Sequence, residues 1–590
     1  MTLTTRLRSV AIDMAARARV FRYVPELSLG KISAARLLEQ AAERWPDRPA
    51  LLYSDERYTW ADFHREASRW ARFFLARGVV RGDVVAVLMD NRSEYVFALL
   101  GLSMIRATAA CVNSHVVGHA LAHALRIVSP RFVLVGSEHE RAMRDVDVDP
   151  ALKTPARLWV HRDRDAASEA PPINEELAAT STRIVDDRSH GRIDEPASYL
   201  YTSGTTGLPK AAKITNQRSI LASLGFGKVF HEATAEDVIY VALPLYHGNA
   251  QWGGLGACLA TGAALALRRK FSASAFFTDA VRFGATRMMY IGELCRYLVL
   301  SPENPDERRH RIRMAVGNGL RKDVWEAFSA RFRIPVIREF YGATEGNSPI
   351  INLEGRPGML GRLVFGQALV ACDPETGDVE RDGRGHCVRR TRPSDHGLLV
   401  ARISATARFD GYADASATNA KILRNVFRDG DAWFNSGDVL QLHDDGWVSF
   451  VDRVGDTFRW KGENVSTNEV AEALNLAAGV VESNVYGVTV GNAEGRAGMA
   501  SLRVTADFSL DAFASHVMVT LPRYARPLFL RLDEAARTTG TFKYQKTDYQ
   551  RDGFDPDAVR RPLFALVDGA YRPLDRELYA RIQSGAADVG

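Results

Sequence analysis

A chain of 590 residues is too long to organise around one hydrophobic core and implies at least two domains. Its hydrophobic share of 46% and charged share of 25% are those of an ordinary soluble globular protein. A net charge of +5 is small for this length and argues against nucleic acid, and no apolar run reaches the roughly 18 residues that span a bilayer.

At the N-terminus, Leu7, Val10, Met14, Ala18 and Phe21 recur at helical spacing among Arg6, Arg8, Arg17, Arg19 and Arg22. Residues 1–33 therefore read as a basic amphipathic segment, suited to an anionic membrane surface or to plain docking, without the cleavage site of a signal peptide. From residue 34 onward, helical patterns (35–45, 60–77, 93–105) alternate with short apolar strands (50–53, 84–89, 131–136). The polar stretch 166–194 connects to a strand at 197–201, and further strands follow at 237–243, 263–267, 287–291, 314–316 and 335–337. Such alternation predicts an α/β fold with a layered, largely parallel sheet. Between Cys372 and Gly411, glycines, charges and short β-rich runs predict a smaller β-rich subdomain. After a strand at 447–451 the texture changes to a compact α+β pattern that runs to the end. The expected division is a basic segment at 1–33, a large α/β domain at 34–453 and a small mobile α+β domain at 454–590. The five cysteines, Cys111, Cys258, Cys295, Cys372 and Cys387, are scattered without metal-ligand spacing, which suits a reducing cytoplasm.

The most informative stretch is Tyr201-Thr202-Ser203-Gly204-Thr205-Thr206-Gly207-Leu208-Pro209-Lys210. Hydroxyls, two glycines and a terminal lysine leave a strand end, where backbone N–H groups and one cation can surround a polyphosphate. It is not a Walker A loop, because Leu208 and Pro209 separate Gly207 from Lys210 and Ala211 follows. Downstream, Glu339-Phe340-Tyr341-Gly342-Ala343-Thr344-Glu345-Gly346 sets a hydroxyl and a carboxylate beside glycines, a donor set suited to Mg²⁺ and phosphate. Gly317-Asn318-Gly319 ends another strand, where a flat base can approach the backbone. Asp438 follows an aromatic-flanked turn and is a natural acceptor for ribose hydroxyls.

Taken in order, these stretches resemble the adenylate-forming superfamily of acyl-CoA synthetases, peptide-synthetase adenylation domains and luciferases. Within it, Asp452 to Ser466, Tyr341 to Asn347 and Gly495 to Ala500 are most similar to the very-long-chain acyl-CoA synthetase and fatty-acid-transport-protein group. The resemblance implies ATP, Mg²⁺ and CoA as cofactor and co-substrates. Thr202, Ser203, Gly204, Thr205, Thr206, Gly207 and Lys210 would hold the β- and γ-phosphates, and Thr202 and Glu345 the metal. Tyr341, Gly342, Gly317, Asn318 and Gly319 would meet adenine, Thr344 the α-phosphate, and Asp438 with Arg453 the ribose. Lys543, in Thr541-Phe542-Lys543, would bridge the acid carboxylate and the α-phosphate, and Lys546 matches the basic residue three positions later. His247, in Pro244-Leu245-Tyr246-His247-Gly248, would lie beside the acyl and pantetheine tunnels, and Lys461 and Gly462 on the loop presented for thioester formation. Gly455 stands at the hinge position where most relatives carry Asp or Lys, so a charged hinge contact is missing.

The expected activity is therefore a long- or very-long-chain fatty acyl-CoA synthetase, forming acyl-CoA through an acyl-adenylate with release of AMP and pyrophosphate. Three alternatives stand beside it: a fatty-acyl-AMP ligase serving a carrier protein, a ligase for bile acids or other bulky carboxylates, and a membrane-associated uptake protein. The partners implied are fatty acid, ATP and CoA in the cytoplasm, with no nucleic acid and with room for peripheral membrane contact and a homodimer.

Overall fold

Val84–Leu88 and Phe132–Gly136 are apolar along their whole length and almost wholly buried, which is the pattern of strands covered on both faces of a parallel sheet. They are interior strands of one sheet in a computed structural model that describes residues 32–587 apart from 164–167, 169, 186–190, 203–207, 405–406, 461–462, 492–494 and 535–545. The chain forms two compact units, one from residues up to 361 together with 404–421, the other from 362–403 together with 422 onward. The basic segment at 1–31 lies outside the described residues.

In the first unit, the described residues form a six-stranded sheet ordered Leu158–His161, Phe132–Gly136, Val84–Leu88, Thr108–Cys111, Pro196–Thr202 and Lys210–Thr215. All neighbours are parallel except the last pair, which is an antiparallel hairpin. A second, eight-stranded sheet runs Ile350–Asn352, Val336–Tyr341, Met314–Asn318, Arg287–Ile291, Val238–Val241, Ala264–Leu267, Pro49–Tyr53 and Glu56–Thr59. It too is parallel inside and antiparallel only at its two edges. The layered α/β expectation is met.

Helices fill the space around these sheets. Trp60–Ala76 starts at a capping box, in which Thr59 and Asp62 satisfy each other's backbone N–H groups. It buries Trp60, Phe63, Trp70, Phe73 and Phe74, and Phe63 meets Phe97 of helix Ser93–Met104 edge-to-face at 5.4 Å. Asn91 ties the two sheets together. Its amide donates to the carbonyls of Leu243 and Arg268 at 2.8 and 3.1 Å, and its Oδ1 accepts the Leu245 N–H at 2.8 Å. Among its described residues the polar connection at 166–194 contains the helix Asn174–Ala179, which periodicity over six residues could not signal. Long-range pairing holds it, with Asn174 accepting the Arg162 N–H at 2.7 Å and Glu176 paired to Arg77.

The second unit contains an antiparallel β-rich sheet whose central strands are Gln367–Val370, His396–Arg402, Ala432–Leu442 and Trp447–Arg453. Beyond it comes a five-stranded sheet ordered Val480–Val488, Ala497–Val504, Phe529–Leu532, Leu563–Val567 and Ala570–Pro573. Helices Thr467–Asn475, Leu510–Thr520 and Lys546–Asp552 cover it around a core that includes Tyr486, Phe529, Tyr549 and Phe554. Phe529 and Phe554 stack with centroids 3.8 Å apart. Among the described residues no helix is long and apolar enough to cross a membrane.

Candidate active site

The Ser/Thr/Gly-rich stretch is held at both ends. Tyr201 pairs with Ala211 and Thr202 with Lys210, so the loop leaves one strand and returns on its antiparallel neighbour. The Tyr201 hydroxyl donates to the Ala124 carbonyl at 2.8 Å, and the Thr202 hydroxyl to the Lys210 carbonyl at 3.5 Å. Ser203, Gly204, Thr205, Thr206 and Gly207 lie outside the described residues. Thr202 stands at the carboxyl end of its strand, as do Asn318 and Tyr341, and carboxyl strand ends are where open parallel sheets bind ligands.

Residues 404–421 bring a further group here. The chain returns to the first unit and bridges Tyr412 to Ala212, with Lys213 N–H donating to Gly411 O and Ala413 N–H to Ala211 O, each at 2.9 Å. Tyr412 donates its hydroxyl to Glu345 Oε1 at 2.7 Å, and the Thr202 side chain lies beside the same phenol. Both predicted metal ligands thus lie beside one buried phenol, which bonds Glu345 directly. Burial, reinforced by the Glu345 charge, holds the phenol far above its ordinary pKa, so it remains a donor. The Lys210 ammonium lies 5.9 Å from the centroid of the same ring.

Thr344 and Glu345 occupy a tight turn closed by the Gly346 N–H on the Ala343 carbonyl at 3.1 Å. Arg218 braces that turn from helix Asn216–Gly225. Its guanidinium donates to the Ala343 carbonyl at 3.1 Å and to the Gly346 carbonyl. Burial pulls Arg218 down to about 10, and the charges of Asp410 and Glu345 oppose that pull, so it stays cationic at neutral pH. Glu345 and Thr202 offer hard oxygen donors beside this framework, a set that fits Mg²⁺.

Gly317 pairs with Tyr290 on one side and Glu339 on the other. A Cβ there would meet the Tyr290 carbonyl oxygen at 2.2 Å, and Gly319 adopts φ +75°, so both glycines are required by the backbone itself. Asn249 donates to Asn318 Oδ1 at 2.7 Å. Behind this turn, Glu339 Oε1 accepts the Leu320 N–H at 2.7 Å. Burial pushes the Glu339 carboxyl up to about 8, against the pull of the Leu320 N–H and the Tyr290 hydroxyl. Tyr341 ends its strand and Gly342 follows with open space around its Cα. His247 sits half-buried at the turn that Asn91 anchors, with its ring 4.5 Å from Tyr246.

In the second unit Asp438 and Arg453 are direct cross-strand partners, with Nε and Oδ1 3.6 Å apart. Asp438 is largely buried, and its N–H is held by the Ser436 hydroxyl at 3.0 Å. Lys461, Gly462 and Lys543 lie outside the described residues. Sequence reasoning missed Tyr412, Arg218 and Glu339 as organisers of the site. Only Glu339 carried a signal, as the first residue of the Glu339–Gly346 motif.

The AMP-binding enzyme family matches residues 38–391. The chain is 39% identical to mouse long-chain fatty acid transport protein 6, over 91% of this chain and 88% of that protein. It is 38% identical to medium/long-chain-fatty-acid–CoA ligase FadD6 of Mycobacterium tuberculosis, over 95% and 92%. Among solved structures, the anthranilate CoA ligase AuaEII with anthranoyl-AMP superimposes with a TM-score of 0.76 at 20% identity, covering 88% of this chain and 97% of that one. MatB of Rhodopseudomonas palustris with ATP gives 0.72 at 22% identity, covering 88% and 99%. The chain belongs to the AMP-binding enzyme family.

Proposed function

We propose that this protein is an ATP-dependent long- or very-long-chain fatty acid–CoA ligase. Two observations divide the support. Glu345, distant in sequence, is held by Tyr412 beside Thr202 at the mouth of the Ser/Thr/Gly-rich hairpin, which supports nucleotide chemistry. Near full-length similarity to a medium/long-chain-fatty-acid–CoA ligase and to long-chain fatty acid transport proteins supports the acid class.

In the proposed reaction a fatty carboxylate oxygen attacks the α-phosphorus of ATP, and pyrophosphate leaves. The CoA thiol then attacks the mixed anhydride and displaces AMP, a far better leaving group than the oxide of a free carboxylate. The protein contributes positioning and charge neutralisation. Residues 203–207 and Lys210 hold the terminal phosphates, and Thr344 the α-phosphate. Mg²⁺, held by Thr202 and Glu345, offsets phosphate charge when bound. Gly317 to Gly319, Tyr341 and Gly342 receive adenine, and Asp438 with Arg453 the ribose. Lys543 neutralises the charge that develops as carboxylate meets phosphorus. Residues 454–590 then pivot at Gly455, withdrawing Lys543 and presenting Lys461 and Gly462, while His247 borders the acyl and pantetheine path.

The basic amphipathic pattern of residues 1–33 supports contact with an anionic cytoplasmic membrane face. The test of the whole reading is a panel of acids from short to very long chain, scored as CoA thioester with AMP and pyrophosphate. Thioester formed with long acids, and not with bulky ring acids or a holo-carrier acceptor, is the expected result. Turnover confined to bulky acids, or acyl-adenylate delivered only to a carrier, overturns it.

A further inference from the structure

One ammonium in the second unit reaches both ends of the turn that contains Gly455. Lys546 opens helix Lys546–Asp552, and its Nζ donates to Thr467 Oγ1 at 2.6 Å and lies 3.5 Å from Asp456 Oδ2. Thr467 passes the contact on. Its hydroxyl and its backbone N–H each donate to Asp452 Oδ2 at 2.7 Å, while Asp452 Oδ1 accepts the Arg453 N–H at 2.9 Å. Asp452 and Thr467 are each 1% exposed. Between them Gly455 takes φ +85°, its N–H bonded to the Pro374 carbonyl at 3.2 Å.

The helix that carries Lys546 is itself anchored. Tyr549 is wholly buried, with its ring 5.4 Å from Tyr486 and the Arg531 guanidinium 4.7 Å from its centroid. Lys546 therefore joins a fixed helix to a fixed strand end across a glycine turn. Burial raises Asp452, and the Lys546 ammonium and the Thr467 donors pull it back. Without the ammonium, a buried carboxylate would lose a charge that compensates its burial.

We propose that Lys546 is a positioning residue, a latch whose ammonium clamps the Asp452–Asp456 turn to the helix following the Lys543 segment. It supplies through space the charged contact that Gly455 cannot make at the hinge. Lys543 is three residues from Lys546, which is at most about 11 Å of extended chain, so the latch confines where Lys543 can be presented. The inference rests on the proposed role of Lys543 in adenylation.

The experiment compares the intact wild-type protein with Lys546→Met, Lys546→Arg, Thr467→Val and the Lys546→Met/Thr467→Val double variant. Each is assayed for acid-dependent ATP–pyrophosphate exchange, for thioester formation from supplied acyl-adenylate, and for thermal melting. Lys546→Met is expected to lower the kcat of exchange about tenfold to a hundredfold, the scale of a misplaced reacting group, with the KM for ATP changed less than about twofold. Lys546→Arg should recover most of that loss, and Thr467→Val should act in the same direction. The double variant should be no worse than Lys546→Met, as expected for two members of one contact. Thioester formation from supplied acyl-adenylate should persist in all of them. Wild-type exchange in Lys546→Met overturns the latch while leaving the proposed function intact. So does an equal loss of both half-reactions with a lowered melting point that Lys546→Arg fails to restore. Absence of exchange in the wild type overturns the functional reading and the latch with it.

Discussion

The hydroxyl of Tyr412 donates to Glu345 across 2.7 Å, although 67 residues separate them in the chain. The bond is buried, and its acceptor is the carboxylate assigned to the metal. Tyr412→Phe removes the donor and keeps the ring. A hydrogen bond to a charged group contributes about 1.5 kcal/mol or more, so the Mg²⁺ concentration for half-maximal ATP–pyrophosphate exchange should rise roughly tenfold. A magnesium titration of wild type and variant reads this directly, and coincident curves would remove Tyr412 from the metal site.

Glu339 connects the Gly317–Gly319 turn to solution pH. Its folded-state pKa, about 8, is raised from an ordinary value of 4.5 because the carboxyl is buried. A group raised in this way contributes stability that is complete below the unfolded value and disappears as pH climbs through the folded one. Thermal melting of the wild type should therefore fall as pH rises from about 4.5 to about 8 through this residue, beyond what other groups contribute, and level off above that. Glu339→Gln keeps an acceptor for the Leu320 N–H and cannot ionise, so its melting temperature should decline less over that interval. Parallel pH profiles for the two proteins would contradict the assignment.

Much of this arrangement was legible in the sequence. Strands such as Val84–Leu88, Arg287–Ile291 and Met314–Asn318 are short apolar runs bounded by turn residues, and a buried parallel strand needs little more. The motifs read as leaving strand ends do so in the structure, with Thr202 closing Pro196–Thr202 and Asn318 closing Met314–Asn318. Tyr412 was not legible, because the 404–421 segment leaves a β-rich region and crosses back to bridge Ala212, and no local pattern announces such a return. Arg218 was hidden differently. In a helix sequence it reads as an ordinary charged residue, and only the fold directs it at the carbonyls of Ala343 and Gly346.

Asp438 and Arg453 face each other on neighbouring strands, 3.6 Å apart at their charged atoms, with Arg453 half-exposed. Asp438→Ala should raise the KM for ATP about tenfold, the scale of a lost hydrogen bond to a charged acceptor. It should lower the melting temperature only modestly, because Arg453 is half-exposed and stays solvated when its partner is removed. Initial-rate kinetics with ATP varied, set beside a melting curve, separate the two effects. An unchanged KM would take Asp438 out of the ribose site.

Lys543 is assigned to the first half-reaction alone. Lys543→Ala should abolish acid-dependent ATP–pyrophosphate exchange and preserve thioester formation when acyl-adenylate and CoA are supplied. Exchange at the wild-type rate would remove the lysine from that role. Loss of both half-reactions would assign it to something other than adenylation.

The central claim is that this chain activates a fatty acid as its adenylate. Incubating the protein with labelled pyrophosphate, ATP, Mg²⁺ and a long-chain acid, without CoA, tests it most directly. The account predicts label entering ATP only when the acid is present, and acyl-CoA with equimolar AMP once CoA is added. Formation of ADP, or no acid-dependent exchange, would contradict it.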